Sequence, residues 1–233
     1  MSYVLQIAAV IFGLALIGMF SFNDRNSVKL LLAFSGSYLF SAVIMHFLPE
    51  LIEAKGTSIG LFVLAGFLVQ IILDFISTGL EHGHYHAEGL KKGVLPISAI
   101  IGLFLHALFE GLPIDIQHSH ESQKTMLIAI VLHKIPITVV LYALLRSLDI
   151  SGKKMWLIII LFALMSPLGT VLGKNIVGLA EYSYYLTAFA TGIFLHVSTT
   201  ILFESSHNHR YNFAKLAIVI SGMLLAYFTL VIF

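Results

Sequence analysis

His106 and Glu110 stand four residues apart in an otherwise apolar stretch, FLHALFEGLP, at residues 104–113. If this stretch is helical, residues at that spacing share one face of the helix. An imidazole and a carboxylate on one face can bind a single divalent cation, and Zn²⁺ accepts both groups readily. Gly111 and Pro113 follow at once. Because proline removes a backbone donor and disturbs the preceding turn, we expect carbonyl oxygens there to be freed toward a cavity.

A second histidine beside a proline occurs in the next apolar stretch, VLHKIPITV, at residues 131–139. His133 lies three residues before Pro136, and Lys134 follows it directly. Ionisable side chains in such apolar surroundings are costly and point to a function. Two neighbouring helices that each carry a histidine at a weakened turn predict a metal site between them.

The composition of the 233-residue chain is that of a membrane protein. Hydrophobic residues make up 58%, charged residues 11%, and the mean hydropathy is +0.96. Soluble domains carry about 25% charged residues, so this composition argues strongly against a cytosolic enzyme. A net charge of +1 without a basic patch argues against nucleic acid as a partner. The sequence has no cysteine and no nucleotide-binding motif, so we expect neither a nucleotide as energy source nor an organic cofactor.

Eight stretches are long and apolar enough to cross a bilayer as helices. They cover residues 3–22, 28–52, 57–80, 93–115, 124–146, 154–174, 182–204 and 211–233. The first lacks a charged leader, so we retain it as a span rather than a signal peptide. The fold class is therefore an all-α polytopic membrane protein. It forms one transmembrane domain over residues 1–233, with a His-rich loop at residues 81–93.

Loop charges predict the orientation of the eight spans. Nine Lys and Arg residues lie in the loops after odd-numbered spans and three in the loops after even-numbered spans. The nine are Arg25, Lys29, Lys91, Lys92, Arg146, Lys153, Lys154, Arg210 and Lys215, and the three are Lys55, Lys124 and Lys174. Odd-numbered loops should then be cytoplasmic. Both termini should be extracytoplasmic, in a bacterial inner membrane or a plasma membrane.

Taken together, these motifs resemble those of the ZIP (Zrt/Irt-like protein) family of divalent-metal transporters. HALFEG followed by LHKIP is similar to the family's fourth- and fifth-helix signatures. HFLPE (46–50), GFLVQIILDFISTGLEHGHYH (66–86) and SPLGTVLG (166–173) resemble its second, third and sixth helices. The resemblance implies a 3+2+3 bundle with inverted repeats and an elevator-like or rocking motion. It also implies import of Zn²⁺, or of Fe²⁺, Mn²⁺ or Cd²⁺, into the cytoplasm. His106, Glu110 and His133 match the transport-site ligands of helices four and five.

The sequence departs from the family where a second metal site is often found. Ala107, Lys134, Ile137 and Ser166 stand at positions where the family often offers ligands. A lysine ammonium near the vacant second site can substitute its charge for a second cation. The alternative is a neutral Lys134, because both desolvation and a nearby cation disfavour the charged form. We therefore expect a single-metal site, shaped by Lys134 and Ser166, that binds its ion weakly enough to release it.

Further ionisable residues are assigned by their place along the spans. His46 and Glu50 are candidate entrance residues, and Glu204 and His196 are candidate exit residues, although His196 could also be a buried polar linker. We expect Asp74 and Gln70, four apart in span three, to bind between helices. Auxiliary metal binding in loops is expected of His82, His84, His86, His118, His120, His207 and His209.

Two other functions remain open at this point. One is an intramembrane zinc hydrolase with Glu110 as general base, although no HExxH motif is present. The other is a metal sensor of the same fold that does not transport. The expected partners are the metal ion and the lipid bilayer. A homodimer is also considered, because Gly60, Gly66 and Gly222 permit close helix contacts.

Overall fold

The structure, a computed structural model, describes residues 1–19, 25–77, 92–204 and 213–232. Within these ranges the secondary structure is helical throughout, with no strand. The α-helices there are α1 (Ser2–Met19), α2 (Arg25–Ala42), α3 (Leu48–Lys55), α4 (Gly60–Ser77), α5 (Ile97–Gly111), α6 (His120–Ser147), α7 (Gly152–Asn175), α8 (Ser183–Glu204) and α9 (Phe213–Tyr227). A π-helical turn, Val43–Phe47, joins α2 to α3, and another, Phe228–Ile232, extends α9.

Seven of the described helical segments are long and apolar enough to cross a membrane. The joined α2 and α3 make one of them, and α4 to α9 make the others, which correspond to predicted spans two to eight. The first predicted span is a shorter apolar helix in the described residues, Ser2–Gly18, and residues 20–24 after it lie outside them. The predicted all-α polytopic membrane fold is confirmed.

Two helix boundaries differ from those predicted by hydropathy. Helix α6 begins at His120 rather than at residue 124, because Ser119 caps it: its hydroxyl accepts the backbone N–H of Ser122 at 3.0 Å. Helix α5 begins at Ile97 rather than at residue 93, because Gly93 has a φ of +77° and Pro96 adopts a non-helical conformation before the first turn. Polar residues can therefore be helical, and apolar ones can precede a helix.

The packing of the helices follows the predicted inverted repeat. Helix α1 packs on α6 and α7, and α5 packs on α7; α2 packs on α8 and α9, and α4 packs on α8. In such a repeat, spans one, two and three correspond to spans six, seven and eight, and span four corresponds to span five. The contact of α1 (span one) with α6 (span five) then corresponds to the contact of α7 (span six) with α5 (span four). In the same way, the contact of α2 with α9 corresponds to the contact of α8 with α4. Spans related in this way run in opposite directions, as an inverted repeat requires.

Glycines allow the closest of these contacts. A Cβ atom on Gly66 of α4 would overlap the carbonyl oxygen of Phe189 on α8, and one on Gly192 would overlap that of Val63. Helices α4 and α8 therefore meet backbone to backbone, as small residues permit inside membranes. This contact holds Gln70 and Asp74 of α4 against the interior.

Candidate metal centre

The pair of His106 and Glu110 lies inside the bundle on one face of α5. Both residues are 2% exposed. His106 Nε2 and Glu110 Oε2 are 3.6 Å apart, which is too long for a good hydrogen bond. Two ligands bound to one tetrahedral Zn²⁺ at the usual bond lengths would be about 3.3 Å apart. The pair, here called the α5 pair, is thus close to the spacing that a shared cation needs.

His133 extends the α5 pair from the neighbouring helix. It is buried on α6, and its ring centroid lies 5.9 Å from that of His106 in an edge-to-face arrangement. In the part of the chain that the structure describes, no three His, Asp or Glu side chains are close enough to hold one ion. The structure therefore brings one imidazole and one carboxylate close together and places a second imidazole, that of His133, beside them.

Lys134 and Ser166 contact the other oxygen of the same carboxylate. Lys134 Nζ is 3.7 Å from Glu110 Oε1 and donates to Ser166 Oγ, while Ser166 Oγ donates to Glu110 Oε1 at 2.8 Å. The ammonium also lies 4.6 Å from the ring centroid of Phe162. All three polar groups are buried. One oxygen of Glu110 faces His106, and the other faces Lys134 and Ser166.

Close packing of α5 on α7 brings Ser166 to the carboxylate. A Cβ atom on Gly111 would overlap the carbonyl oxygen of Ser166, and Gly169 and Gly173 meet the carbonyls of Leu108 and Leu112 in the same way. A one-residue shift at this seam would move the Ser166 hydroxyl away from Glu110. Position 111 therefore requires glycine, because the backbones of α5 and α7 approach each other closely there.

The two prolines act differently from the expectation that they weaken turns toward a cavity. Pro113 lies just beyond the end of α5, and side chains satisfy the carbonyls around it: Thr170 Oγ1 donates to Gly111 O at 3.1 Å, and Gln117 Nε2 to Pro113 O at 3.0 Å. Helix α6 continues through Pro136 to Ser147. The helix is therefore unbroken there, although position 136 has no N–H to donate to the preceding turn.

Gln70 and Asp74 of α4 join the α5 pair to α8. His106 Nδ1 lies 2.9 Å from Gln70 Oε1, and Gln70 Nε2 donates to Asp74 Oδ1 at 3.3 Å. Asp74 Oδ2 is in turn 3.4 Å from His196 Nδ1. Sequence reasoning placed Gln70 between helices but missed its contact with a candidate ligand. The one available signal was a glutamine four residues before an aspartate in an apolar span.

The candidate entrance residues lie at the junction of the second span. His46 belongs to the π-helical turn, and its Nε2 is 3.5 Å from Glu50 Oε2. Ser122 Oγ lies 2.8 Å from both oxygens of Glu50 and donates to that carboxylate. The two side chains remain 15% and 28% exposed. The structure therefore brings His46 and Glu50 together at the start of α6, apart from the α5 pair.

The remaining candidates are scattered or lie outside the described residues. His118 hydrogen-bonds Ser183 Oγ and stacks on Tyr184 with ring centroids 3.7 Å apart. His120 is exposed and lines an apolar groove of about 480 Å³ between α1 and α6. Glu204 ends α8. The side chain of Glu204 lies outside the described part of the chain, as do the loop residues His82, His84, His86, His207 and His209.

Comparisons with known proteins agree with this architecture. The family model of the ZIP zinc transporter matches residues 79–229. Protein zntD of Dictyostelium discoideum is 32% identical over 148 residues, which cover 57% of this chain and 21% of the relative. Human zinc transporter ZIP2 is 30% identical over 129 residues, covering 50% and 40%. Zinc transporter ZIP9-B of Xenopus laevis is 25% identical over 167 residues, covering 65% and 55%.

The chain thus spans about half the length of these relatives, or less. The family match includes the α5 pair, His133, Lys134 and Ser166, whereas Gln70 and Asp74 precede it. Because the match covers more than half of the chain and the helices are those of a polytopic membrane protein, the chain belongs to the ZIP family, a family of zinc transporters and not of enzymes.

Proposed function

We propose that the protein carries a divalent transition metal, Zn²⁺ first among them, across the membrane through a single-metal site. The ligands are His106 and Glu110 of α5 and His133 of α6. The observation that carries the proposal is the α5 pair, a buried imidazole and carboxylate 3.6 Å apart within a membrane-spanning helix. A paired ionisable group at such a depth is rarely kept for packing alone.

The chemistry of the donors favours a borderline cation. Imidazole suits Zn²⁺ and Fe²⁺, and the carboxylate also accepts Mn²⁺. Three protein ligands leave one position of a tetrahedral ion open to water or to another side chain. Zinc is proposed first because the matched relatives are named as zinc transporters.

Lys134 takes the place of a second cation in this proposal. Its ammonium lies 3.7 Å from the Glu110 oxygen that faces away from His106. A metal at that oxygen would be repelled by the fixed positive charge. The carboxylate therefore serves one ion, on the side of the imidazoles.

The path to and from the site uses residues at the helix ends. His46 and Glu50 gather the ion at the outer side, and His196 and Glu204 receive it toward the cytoplasm. The loop histidines hold metal transiently at either surface. In the orientation set by the Lys and Arg distribution, both termini are extracytoplasmic and the direction is import.

Uptake of ⁶⁵Zn²⁺ into proteoliposomes tests the function. Saturable uptake by the native protein should be lost in His106→Asn and Glu110→Gln. The matched control is Glu53→Gln, which changes an exposed residue of the same type as Glu110 and should leave uptake near the native level. Absence of uptake by a folded native protein that still binds zinc at His106 would refute transport and favour the sensor.

The orientation is tested separately by cysteine labelling. The chain has no cysteine of its own, so each substitution gives a single reactive thiol. In intact cells, a membrane-impermeant maleimide should label Lys174→Cys and should label Lys153→Cys only after the membrane is permeabilised. The reverse labelling pattern would overturn the assigned orientation of the chain in the membrane, and it would leave the proposed metal site unaffected.

A further inference from the structure

Gln70 is the polar side chain of α4 that reaches the candidate ligands. It is fully buried, and its two polar atoms have different partners. Oε1 lies 2.9 Å from His106 Nδ1, and Nε2 lies 3.3 Å from Asp74 Oδ1. Its contact with His106 joins residues 36 positions apart in the sequence.

The identities of these atoms decide which way the amide faces. An amide nitrogen only donates, whereas carboxylate oxygens accept. With Nε2 toward Asp74, the amide makes a hydrogen bond. With Oε1 in that position, two acceptors would face each other in a partly buried space, which is costly. Asp74 therefore holds the carbonyl oxygen of Gln70 toward His106.

The orientation of the amide in turn decides where the imidazole carries its hydrogen. The amide oxygen can only accept, so His106 Nδ1 must be the N–H donor of the 2.9 Å contact. In a neutral imidazole the other nitrogen, Nε2, then bears the lone pair. Nε2 is the atom that lies 3.6 Å from Glu110 Oε2. The nitrogen that faces the carboxylate is thus the one able to bind a cation.

We propose that Gln70 is a positioning residue that holds His106 in the Nδ1–H tautomer, with Asp74 fixing the direction of its amide. The role rests on the proposed function in that it prepares His106 as a ligand. Partners of this kind, hydrogen-bonded to the second nitrogen of a ligating histidine, typically change metal affinity by about 10–100-fold when they are removed.

Gln70→Leu removes the acceptor while filling a similar space. Its matched control is Gln6→Leu, because Gln6 is also fully buried but donates to Thr170 Oγ1 and touches no candidate ligand. The rescue variant combines Gln70→Glu with Asp74→Asn. This double substitution exchanges the carboxylate and the amide. A carboxylate oxygen at position 70 still faces His106, and the amide at position 74 donates to the carboxylate at position 70.

The first readout is the tautomer itself, measured by ¹⁵N and ¹³C NMR on the metal-free, full-length protein with labelled histidine, at a pH where the imidazole is neutral. The His106→Asn spectrum identifies the signal of His106. We expect the Nδ1–H form in the native protein, in Gln6→Leu and in the double variant, and loss of that preference in Gln70→Leu. An unchanged tautomer in folded Gln70→Leu would overturn the inference.

The second readout is the KM for ⁶⁵Zn²⁺ uptake, which Gln70→Leu should raise by about 10–100-fold. Gln6→Leu and the double variant should stay within about threefold of native, which is below that range. Failure of the two proposals is distinguishable. If His106→Asn leaves zinc binding and uptake intact, the metal site is wrong whatever the tautomer. If His106 is required but Gln70→Leu changes neither tautomer nor KM, only the role of Gln70 is wrong.

Discussion

The buried ammonium of Lys134 makes a prediction about stability and metal together. Its Nζ lies 3.7 Å from Glu110 Oε1, and both residues are 2% exposed. At that distance and an effective dielectric constant of about 20, the attraction is about 4.5 kcal/mol. Removing one partner of a buried pair typically costs about 3–5 kcal/mol, because the other charge is left uncompensated.

Lys134→Met should therefore lower the free energy of unfolding of the metal-free protein by about 3–5 kcal/mol. Methionine keeps an unbranched side chain of similar length, so lost packing is a small part of the change. The double variant Lys134→Met with Glu110→Gln removes both charges and should recover most of the loss. Lys174→Met, at an exposed lysine near the end of α7, should change stability by less than about 0.5 kcal/mol.

The stabilisation of the protein by zinc is the more discriminating measurement. In Lys134→Met the carboxylate of Glu110 lacks its fixed cation, so a bound Zn²⁺ supplies the missing charge and should stabilise this variant more than the native protein. The measurement is denaturant unfolding in detergent micelles, followed by circular dichroism, with chelator or with excess zinc. A folded Lys134→Met protein as stable as the native one, with the same response to zinc, would refute the charge replacement.

Two further predictions concern helix packing and the entrance. Gly111→Ala places a methyl group against the carbonyl oxygen of Ser166, so it should destabilise the protein by about 1–3 kcal/mol and impair uptake. Gly60→Ala is the control, because nothing lies within 4 Å of the added atom, and it should have neither effect. Equal effects of the two substitutions would contradict the close packing of α5 on α7. Glu50→Gln keeps an acceptor for Ser122 but removes a partly exposed charge, so the KM for Zn²⁺ should rise by up to about fivefold with Vmax unchanged; an unchanged KM would exclude Glu50 from the entrance.

The sequence predicted those features of the fold that depend on local spacing. Membrane spans follow from apolar stretches of fixed length, and the α5 pair follows from a four-residue separation on one helix. Ser166 was assigned to the site only through its family position, and Lys134 also through its place beside His133 in an apolar stretch. The structure brings both to Glu110. The features that could not be predicted depend on contacts between helices that are distant in the sequence. Gln70 reaches His106 because glycines let α4 approach its neighbours, and no local pattern encodes that approach.

The two prolines show the same limit of prediction from sequence. A proline inside a helix removes one hydrogen bond, but the neighbouring helices decide whether the helix breaks. Around Pro136 the helix continues, with buried residues on either side of it. Near Pro113 the helix ends, and Thr170 and Gln117 donate to the carbonyls of Gly111 and Pro113, respectively. The residue type predicts a perturbed turn, and only the tertiary structure determines the outcome.

The charges at the centre bear on how a bound ion would leave. Glu110 and Lys134 together are neutral, so a divalent cation that reaches His106 and Glu110 Oε2 adds positive charge beside an existing ammonium in a low-dielectric interior. In the proposed site, the ammonium and the metal would share one carboxylate, so the ion would be held less tightly than by two free carboxylates. Weak retention favours a site that must release its ion over one that keeps it. In Lys134→Met the ion should bind more tightly, and if release limits the cycle, maximal uptake should fall while KM also falls.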